Sequence, residues 1–266
     1  MVVVNTRSEM VEALGRGLAV IEAFDDTHAD MTLTEVAQRT GLSPATTRRI
    51  LRTLEHLGYA GSRGKRFFLR PRVLGLGSAF YRSAHIGEAL MPELQRLIKL
   101  FGDATSVGIL SGRDVFYIAH LSDQKAFRPI AGPGVSYPAH ATSMGQVLLA
   151  GLTSPQIDQF LEIGPLAKMT NETVTDPEKL RMILAEVNHN GYATVKDQLA
   201  YGVTSIAVPI FLPAGVVAAI NSSGYSGHVT PEMLVENRLE ELRLSARRIG
   251  NVLLRNPQLK NAMTSG

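Results

Sequence analysis

Four residues of this chain are candidates for a hydrolytic triad. Ser143 would be the nucleophile if His120 or His140 took its proton and Asp197 oriented that histidine. Ser143, however, lacks the Gly-x-Ser-x-Gly turn that exposes such a nucleophile. The chain has no cysteine, and its seven histidines include no HExxH pair. We therefore expect no catalytic residue, no bound metal and no cofactor, and keep a small-molecule hydrolase as the alternative.

A second set of functional side chains is basic and confined to one segment. Between Ser43 and Arg82 there are nine Lys or Arg residues and a single acid, Glu55. The totals are 27 and 24, so the rest of the chain holds 18 basic and 23 acidic residues. Locally concentrated positive charge is the electrostatic footprint of phosphate binding. The segment is therefore predicted to bind nucleic acid.

Two short helices position these basic side chains. The segment TLTEVAQRTGLSPATTRRILRTLEHLGY contains one amphipathic helix, capped by Thr32 or Thr34, that ends at Gly41. A second helix begins sharply because Ser43 is a good N-cap and Pro44 suits the first helical position. Its inner face is predicted to be Thr47, Ile50, Leu51, Leu54 and Leu57. The pattern is typical of a helix-turn-helix DNA reader, with an ordinary two-helix corner as the alternative.

A β-hairpin follows the second helix. The residues GYAGSRGKRFFL predict a short strand, a basic glycine-containing turn and another strand, which together form a wing. Small residues at the start of the second helix would enter a DNA groove, and the arginines and the wing would contact flanking phosphates. The predicted DNA-binding residues are Thr34, Ser43, Ala45, Thr46, Thr47, Arg48, Arg49, Arg52, Arg63, Lys65 and Arg66.

Further helices flank this reader. Apolar residues at helical spacing predict a first helix that packs behind the other two: Val11, Leu14, Leu18, Ile21 and Phe24. After the wing, Pro71 opens a linker helix that contains two glycines.

From Ile86 onward, helical and strand patterns alternate, and 266 residues leave room for a second domain with its own core. This domain is predicted to be a mixed sheet with helices. One apolar helix is predicted to begin at Gln146, after a loop whose backbone N–H groups could hold a carboxylate. The last helix, after Pro231, is expected to cover the sheet rather than to form a coiled-coil seam with a partner. No signal peptide or membrane-spanning run is recognisable, so we expect a cytoplasmic protein that contacts no membrane.

Four segments of the sequence resemble the IclR family of bacterial transcriptional regulators: VEALGRGLAVIEAF, the helix-turn-helix segment above, HATSMGQVLLAG, and GYATVKDQLAYGVTSIAVPIF with GVVAAINSSG. The resemblance implies an α+β fold. A winged helix-turn-helix domain would occupy residues 1–70, a linker helix 71–86, and a GAF-like mixed α/β domain for effector binding and oligomerisation 87–266. It also implies a dimer or a dimer of dimers bound to a palindromic operator in double-stranded DNA.

Within the family, FFLRPRVLGLGSAFYRS, ATSMGQVLLA and the Asp197-Gln198 pair are most similar to the regulators of protocatechuate, 4-hydroxybenzoate and β-ketoadipate metabolism. That resemblance implies a ligand-responsive regulator of the catabolism of an aromatic or other small organic acid, with a DNA-tethered enzyme as the alternative. The motif after Lys196 is one residue shorter than usual, and some members carry cysteine at Ser205. The effector contacts implied by the motifs are Tyr137, Ser143, Met144, Gly145, Asp197, Ser205, Asn221 and Ser223.

Overall fold

A computed structural model describes residues 10–25, 27–83, 85–123 and 132–264. They fall into two units, Met1–Phe80 and Tyr81–Gly266. The division lies within the range 71–86 that is predicted to be the linker. In that range a 3-10 turn, Pro71–Val73, leads into helix α4, Leu74–Ser83.

The helices of the first unit are α1 (Glu12–Glu22), α2 (Leu33–Thr40) and α3 (Pro44–His56). Helix α2 begins with a capping box, in which the Thr32 hydroxyl accepts the Glu35 N–H and the Glu35 carboxylate accepts the Thr32 N–H. It ends at Gly41, whose φ of 66° is left-handed. The Ser43 side chain then caps α3. The predicted helix-turn-helix is confirmed.

A three-stranded antiparallel sheet completes this unit. Strands β1 (Asp30–Thr32), β2 (Ala60–Arg63) and β3 (Arg66–Leu69) lie in the order β1-β3-β2. The predicted wing is β2 and β3. Strand β1 is an addition, since three residues are too few to show an alternating pattern. The core between helices and sheet contains Val20, Met31, Val36, Leu51, Leu54 and Phe67.

The predicted first helix packs against α2 and α3, with Ile21 and Phe24 of the predicted stripe against the core, but the N-terminal part of that stripe is exposed. Val11, Leu14 and Leu18 are 69%, 64% and 44% exposed, whereas Val20 and Ala23 are buried. Only the C-terminal half of α1 packs against the core, so the predicted stripe leaves an uncovered apolar face. Leu57, predicted on the inner face of α3, is also 46% exposed.

The second unit is built on a six-stranded, entirely antiparallel sheet in the order β6-β5-β4-β9-β8-β7. Its strands are β4 (Ala104–Ser111), β5 (Asp114–Ser122), β6 (Ser136–Pro138), β7 (Ala193–Lys196), β8 (Val203–Leu212) and β9 (Gly215–Tyr225). Register shifts at Val107/Gly108 and Ile210/Phe211 mark bulges, which bend the sheet.

Helices cover both faces of this sheet. They are α5 (Ile86–Phe101), α6 (Ser143–Ala150), α7 (Ser154–Glu162), α8 (Pro177–Asn190), α9 (Pro231–Arg255) and α10 (Pro257–Thr264). On one face, α5, α9 and α10 pack against alternate residues such as Ile206 and Ile220. On the other, α6 and α8 pack against Ala207 and Ala219. The expectation that the last long helix covers the sheet is confirmed. None of the helices described could span a lipid bilayer.

A buried ion pair joins α9 to the sheet. The Arg238 guanidinium donates to Asp103 Oδ2 at 2.6 Å and to Ser222 Oγ at 2.9 Å, and it lies 5.1 Å from the centre of the Phe101 ring. The Arg238 side chain is only 9% exposed. Water therefore screens this pair poorly.

Replacing Arg238 by methionine should lower the free energy of unfolding by about 3 kcal/mol, because the half-buried Asp103 carboxylate and the buried Ser222 hydroxyl lose their guanidinium partner. The matched control is Arg181→Ala, which removes a surface ion pair to Asp158 and should cost less than about 1 kcal/mol. Urea unfolding followed by circular dichroism measures both. Equal losses in the two variants would contradict a special role for the Arg238 pair.

Helix α6 is buried along its whole length and begins three residues earlier than predicted. Its N-cap is Thr142, whose hydroxyl accepts the Gly145 N–H at 3.0 Å, so the first helical residue is Ser143 instead of Gln146. Gly145 packs directly on the preceding turn. A Cβ atom placed there would lie 2.0 Å from the Ala139 carbonyl oxygen.

Gly145→Ala should therefore destabilise the second unit by about 3 kcal/mol or more, since neither backbone segment can move freely away from the new methyl group. Gly87→Ala is the control, because a Cβ at this position in α5 would make only ordinary contact with Tyr81, at 3.6 Å. Differential scanning calorimetry would compare the two. A Gly145→Ala protein as stable as Gly87→Ala would show that α6 is not tightly seated.

Candidate DNA interface and ligand site

Helix α3 presents its basic face to solvent. Ala45, Arg48, Arg49 and Arg52 are exposed on it, as is the cap residue Ser43. Within the described part of the chain, Arg48 and Arg49 form no ion pair. Thr46, half-buried, and Thr34, exposed on α2, flank this surface. The geometry leaves both arginines available to an external anion.

Thr47 is a correction to the predicted DNA contacts. Its side chain has no exposed surface, and its hydroxyl donates to the Ser43 carbonyl oxygen at 3.0 Å. A threonine at this position of α3 packs against the core of the unit, so it cannot contact DNA. The same residue was also predicted on the inner face of the helix, and that prediction is confirmed.

The basic residues of the wing are of two kinds, exposed and ion-paired. Arg63 and Lys65 are exposed beside the turn at Gly64, whose φ is 62°. Arg66 instead donates to the Asp30 carboxylate at 2.6 Å and to the Asp30 carbonyl oxygen at 2.7 Å. Its guanidinium thus joins β3 to β1, and the geometry does not favour its prediction as a phosphate contact.

Arg52 links α3 to the wing. Its guanidinium donates to Glu55 at 2.6 Å and lies 6.0 Å from the centre of the Phe67 ring. Glu55 in turn accepts the Ser62 hydroxyl at 2.6 Å, and this bond is the largest contribution that lowers the pKa of Glu55. The single acid of the basic segment therefore fixes the wing against the helix.

In the second unit, the N-terminus of α6 lies against strand β8. Ser143 Oγ and Ser205 Oγ are 2.8 Å apart, and both residues are buried. The N–H groups of Gly145 and Gln146 are bonded to Thr142. Among the described residues, no acceptor is bonded to the N–H groups of Ser143 and Met144. A buried helix start with two such donors suits a carboxylate.

Strand register places the remaining predicted contacts on the sheet face that α6 covers. Ser205 lies opposite Ser223, and Asn221 lies opposite Ala207, which packs against α6. Residues two apart on a strand share a face, so Asn221 and Ser223 both point to this side. The Asn221 side-chain oxygen accepts the Ser106 N–H at 2.8 Å.

The Asp197 carboxylate is hydrogen-bonded within its own loop. The residue has a left-handed φ of 57°, and its carboxylate accepts the Gly202 N–H at 2.7 Å. This bond closes the loop between β7 and β8. The adjacent Gln198 has a buried side-chain oxygen with no hydrogen-bond partner in the described structure. Asp197 therefore stabilises its loop. The side-chain oxygen of Gln198 could still accept a hydrogen bond.

Two tyrosines form an aromatic wall. The rings of Tyr137 and Tyr117 meet edge to face, with centres 5.4 Å apart. Tyr117 is buried, and burial raises the pKa of its hydroxyl. Tyr117 was not among the predicted contacts. It lies opposite Gly108, whose Cβ position is 3.3 Å from the Met144 side chain.

His120 was considered in the sequence only as a hydrolase base, and Ser106 was not considered; neither was among the predicted effector contacts. His120 Nδ1 lies 2.9 Å from Ser106 Oγ, and the two residues are opposite each other on β5 and β4. The alternation along β4 could have placed Ser106 on the face of Gly108. The extra residue Ile118, which bulges from β5, disturbs the alternation that would have placed His120 there.

The residues of the hypothetical hydrolase are bonded elsewhere. Ser143 pairs with Ser205, His120 with Ser106, and Asp197 with the backbone of Gly202. His140 Nε2 lies 2.9 Å from the Ala167 carbonyl oxygen. In the part of the chain that the structure describes, these groups do not assemble into a nucleophile and its base.

Comparison with known proteins agrees with this architecture. Residues 13–64 match the family model of the IclR helix-turn-helix domain, and residues 79–251 match that of the bacterial transcriptional regulator IclR C-terminal domain. The predicted α+β fold, with a winged reader and a C-terminal mixed α/β effector domain, is confirmed.

Individual relatives are similar over nearly their whole length. The Pca regulon regulatory protein of Pseudomonas putida is 36% identical over 242 residues, which cover 90% of this chain and 83% of that protein. The p-hydroxybenzoate hydroxylase transcriptional activator of Acinetobacter baylyi is 31% identical, with coverage of 92% and 93%. A crystal structure of an IclR homologue from Microbacterium hydrocarbonoxydans, complexed with 4-hydroxybenzoate, superposes with a TM-score of 0.72 at 26% identity, with coverage of 93% and 99%. The chain belongs to the IclR family of bacterial transcriptional regulators.

Proposed function

We propose that this regulator binds a palindromic operator through α3 and the wing and that a small aromatic acid bound beneath α6 alters its affinity for DNA. The observation that carries the DNA-binding part is the exposed pair Arg48 and Arg49 in the N-terminal half of α3, which Ser43 caps, beside a wing with Arg63 and Lys65. Arginine side chains at the outward face of α3 can read bases, and wing cations can contact phosphates.

The effector part rests on the buried start of α6. The N–H groups of Ser143 and Met144, for which no described residue supplies an acceptor, favour a carboxylate, and the aromatic wall of Tyr117 and Tyr137 favours a planar ring. The similarity to a Pca regulon regulatory protein and to a p-hydroxybenzoate hydroxylase transcriptional activator supports the same class of ligand. The predicted contacts Ser143, Met144, Gly145, Ser205, Asn221, Ser223 and Tyr137 belong to this proposed site.

A groove of about 500 Å³ in the first unit supports pairing of two readers. It lies between α1 and α3, and its lining includes Leu14, Leu18, Ile50 and Leu57. A palindrome requires two symmetric copies of the reader, and exposed leucines on the same unit provide an apolar surface for the contact. We therefore infer a homo-oligomer in which a second copy covers the part of this groove formed by Leu14, Leu18 and Leu57 and leaves Arg49, which also lines it, open to DNA.

The same chain is not expected to be an enzyme. The residues of the predicted hydrolase, Ser143, His140 and Asp197, are each bonded to a group outside that triad. Since the proposed partner is chromosomal DNA, we expect the protein to act in the bacterial cytoplasm.

The operator is found by selection from random duplex DNA, and binding is then measured by fluorescence anisotropy. Arg48→Ala should weaken operator binding about tenfold or more and reduce the preference for operator over random DNA, because a base contact is lost. Lys65→Ala should weaken binding to both DNAs and reduce the log–log salt slope by about 0.9 per bound copy, because a phosphate contact is lost.

Arg181→Ala is the charge-matched control, since it removes one surface arginine from the second unit. It should leave both affinities and the salt slope unchanged. If wild-type protein bound operator and random DNA equally, the proposed function would fail. If Arg48→Ala kept full preference, base reading would belong to other residues.

Leu18→Asp should disrupt the proposed pairing by placing a charge in the apolar groove. The expected result is that the affinity ratio between a full palindrome and a single half-site falls towards one. Met182→Asp, at a 69% exposed residue of α8 outside the groove, is the control. An unchanged ratio in Leu18→Asp would exclude this groove as the pairing surface.

A further inference from the structure

A polar pair lies at the middle of the sheet face covered by α6, apart from the start of that helix. His120 and Ser106 are bonded through Nδ1 and Oγ at 2.9 Å. Ser106 is also held in place by Asn221, whose side-chain oxygen accepts its backbone N–H. Ser106 and Asn221 are almost fully buried, and His120 is half-buried. Among the residues described, His120 Nε2 has no hydrogen-bond partner.

This pair offers one donor and one acceptor in either of its hydrogen-bonding states. If the Ser106 hydroxyl donates to Nδ1, then His120 Nε2–H remains a donor and Ser106 Oγ an acceptor. If Nδ1–H donates to the serine, then Nε2 becomes the acceptor and the serine hydroxyl the donor. A ligand hydroxyl is itself one donor and one acceptor, so it matches both states.

A carboxylate does not match the pair in this way. Burial lowers the pKa of His120, and no charged group of the described chain contributes to that shift. The imidazole is therefore neutral near pH 7 and offers no positive charge. At the start of α6, in contrast, the N–H groups of Ser143 and Met144 offer two donors with the favourable helix dipole. The two ends of the site thus differ in chemistry.

The spacing of the two ends suits a single aromatic ring. Ser106 is two residues along β4 from Ala104, which lies in one cross-strand row with Ser223 and Ser205. Two strand spacings of about 4.8 Å and two residues of about 3.3 Å separate Ser106 from Ser205 by roughly 12 Å along the sheet. A benzene ring with substituents at opposite positions, and a hydrogen bond of about 2.8 Å at each end, bridges a distance of this order.

We propose that His120 and Ser106 bind the ring hydroxyl of a hydroxybenzoate-type effector whose carboxylate lies at the start of α6. This inference rests on the proposed function, since it assigns one end of the effector site. It predicts that the hydroxyl increases affinity through these two residues alone, whereas the carboxylate binds independently of them.

The test compares benzoate with 4-hydroxybenzoate and 3-hydroxybenzoate, each titrated into the full-length protein by isothermal calorimetry. For the wild type, the better hydroxybenzoate should bind about tenfold tighter than benzoate, as one good hydrogen bond implies. In His120→Phe and Ser106→Ala this ratio should fall to about one, while benzoate affinity stays within about threefold of the wild type. His189→Phe, at an exposed histidine on α8, should keep the wild-type ratio.

Two results would overturn the assignment. One is an unchanged ratio in both variants, and the other is an equal loss of all three acids, which indicates a packing role. His120→Gln, which keeps a hydrogen-bonding side chain, should restore part of the ratio if His120→Phe folds poorly. Nitrogen NMR of labelled histidine gives a second measurement, because the His120 ring signals should shift with the hydroxybenzoate and not with benzoate.

Operator binding on the same preparations separates this proposal from the proposed function. If the wild type binds none of the three acids, the hydroxyl-binding role and the aromatic effector are both wrong. Operator binding by the same protein would then still support the proposed DNA-binding function. If the acids bind and alter operator affinity while the ratio is insensitive to His120 and Ser106, only the present inference fails.

Discussion

The buried start of helix α6 is the constraint on which the effector domain depends. A helix that is buried over all eight residues must satisfy its first N–H groups without water. Thr142 satisfies two of them, and the close contact of Gly145 with Ala139 leaves no room for a further residue side chain. In the proposed site, a bound anion accepts the N–H groups of Ser143 and Met144, which have no acceptor among the described residues.

The two faces of the sheet differ, and the start of α6 lies on the more polar face. One face is closed by α5, α9 and α10 over large aliphatic residues and by the buried pair of Arg238 and Asp103. The other face carries small or polar residues in its central rows, among them Ser106, Ala207 and Asn221. In the proposed site, the second face can therefore hold polar groups whose bonding a ligand completes.

Local signals in the sequence predicted most elements of the fold. Ser43 and Pro44 define the start of α3, and the strand patterns identify β4, β5, β8 and β9. The same signals failed where tertiary packing decides burial. Thr47 was predicted both on the inner face of α3 and among the DNA contacts, and it is buried. Leu14 and Leu18 have the helical spacing of core residues, but both are exposed. Periodicity identifies an apolar face but not the partner that covers it.

The sequence pointed to the proposed ligand site only where one continuous motif forms it. The loop and helix around Ser143 are continuous in sequence, so their likeness to a family could be recognised. His120 and Ser106 come together through strand pairing across a bulge. The Asp197 carboxylate accepts a hydrogen bond from Gly202 within its own loop. Contacts of this kind depend on register, which a one-residue bulge changes for every residue beyond it.

Both functional surfaces are places where a single chain leaves its bonding incomplete. The reader has an apolar groove and exposed arginines, and the effector domain has helix donors and a neutral imidazole. A ligand can shift an equilibrium only through a difference in affinity between two states, so the acid must bind the DNA-competent and incompetent arrangements unequally. Linkage then requires operator DNA to change the affinity for the acid by the same factor. By accepting the N–H groups at the start of α6, a small ligand can thus supply the binding free energy that shifts this equilibrium.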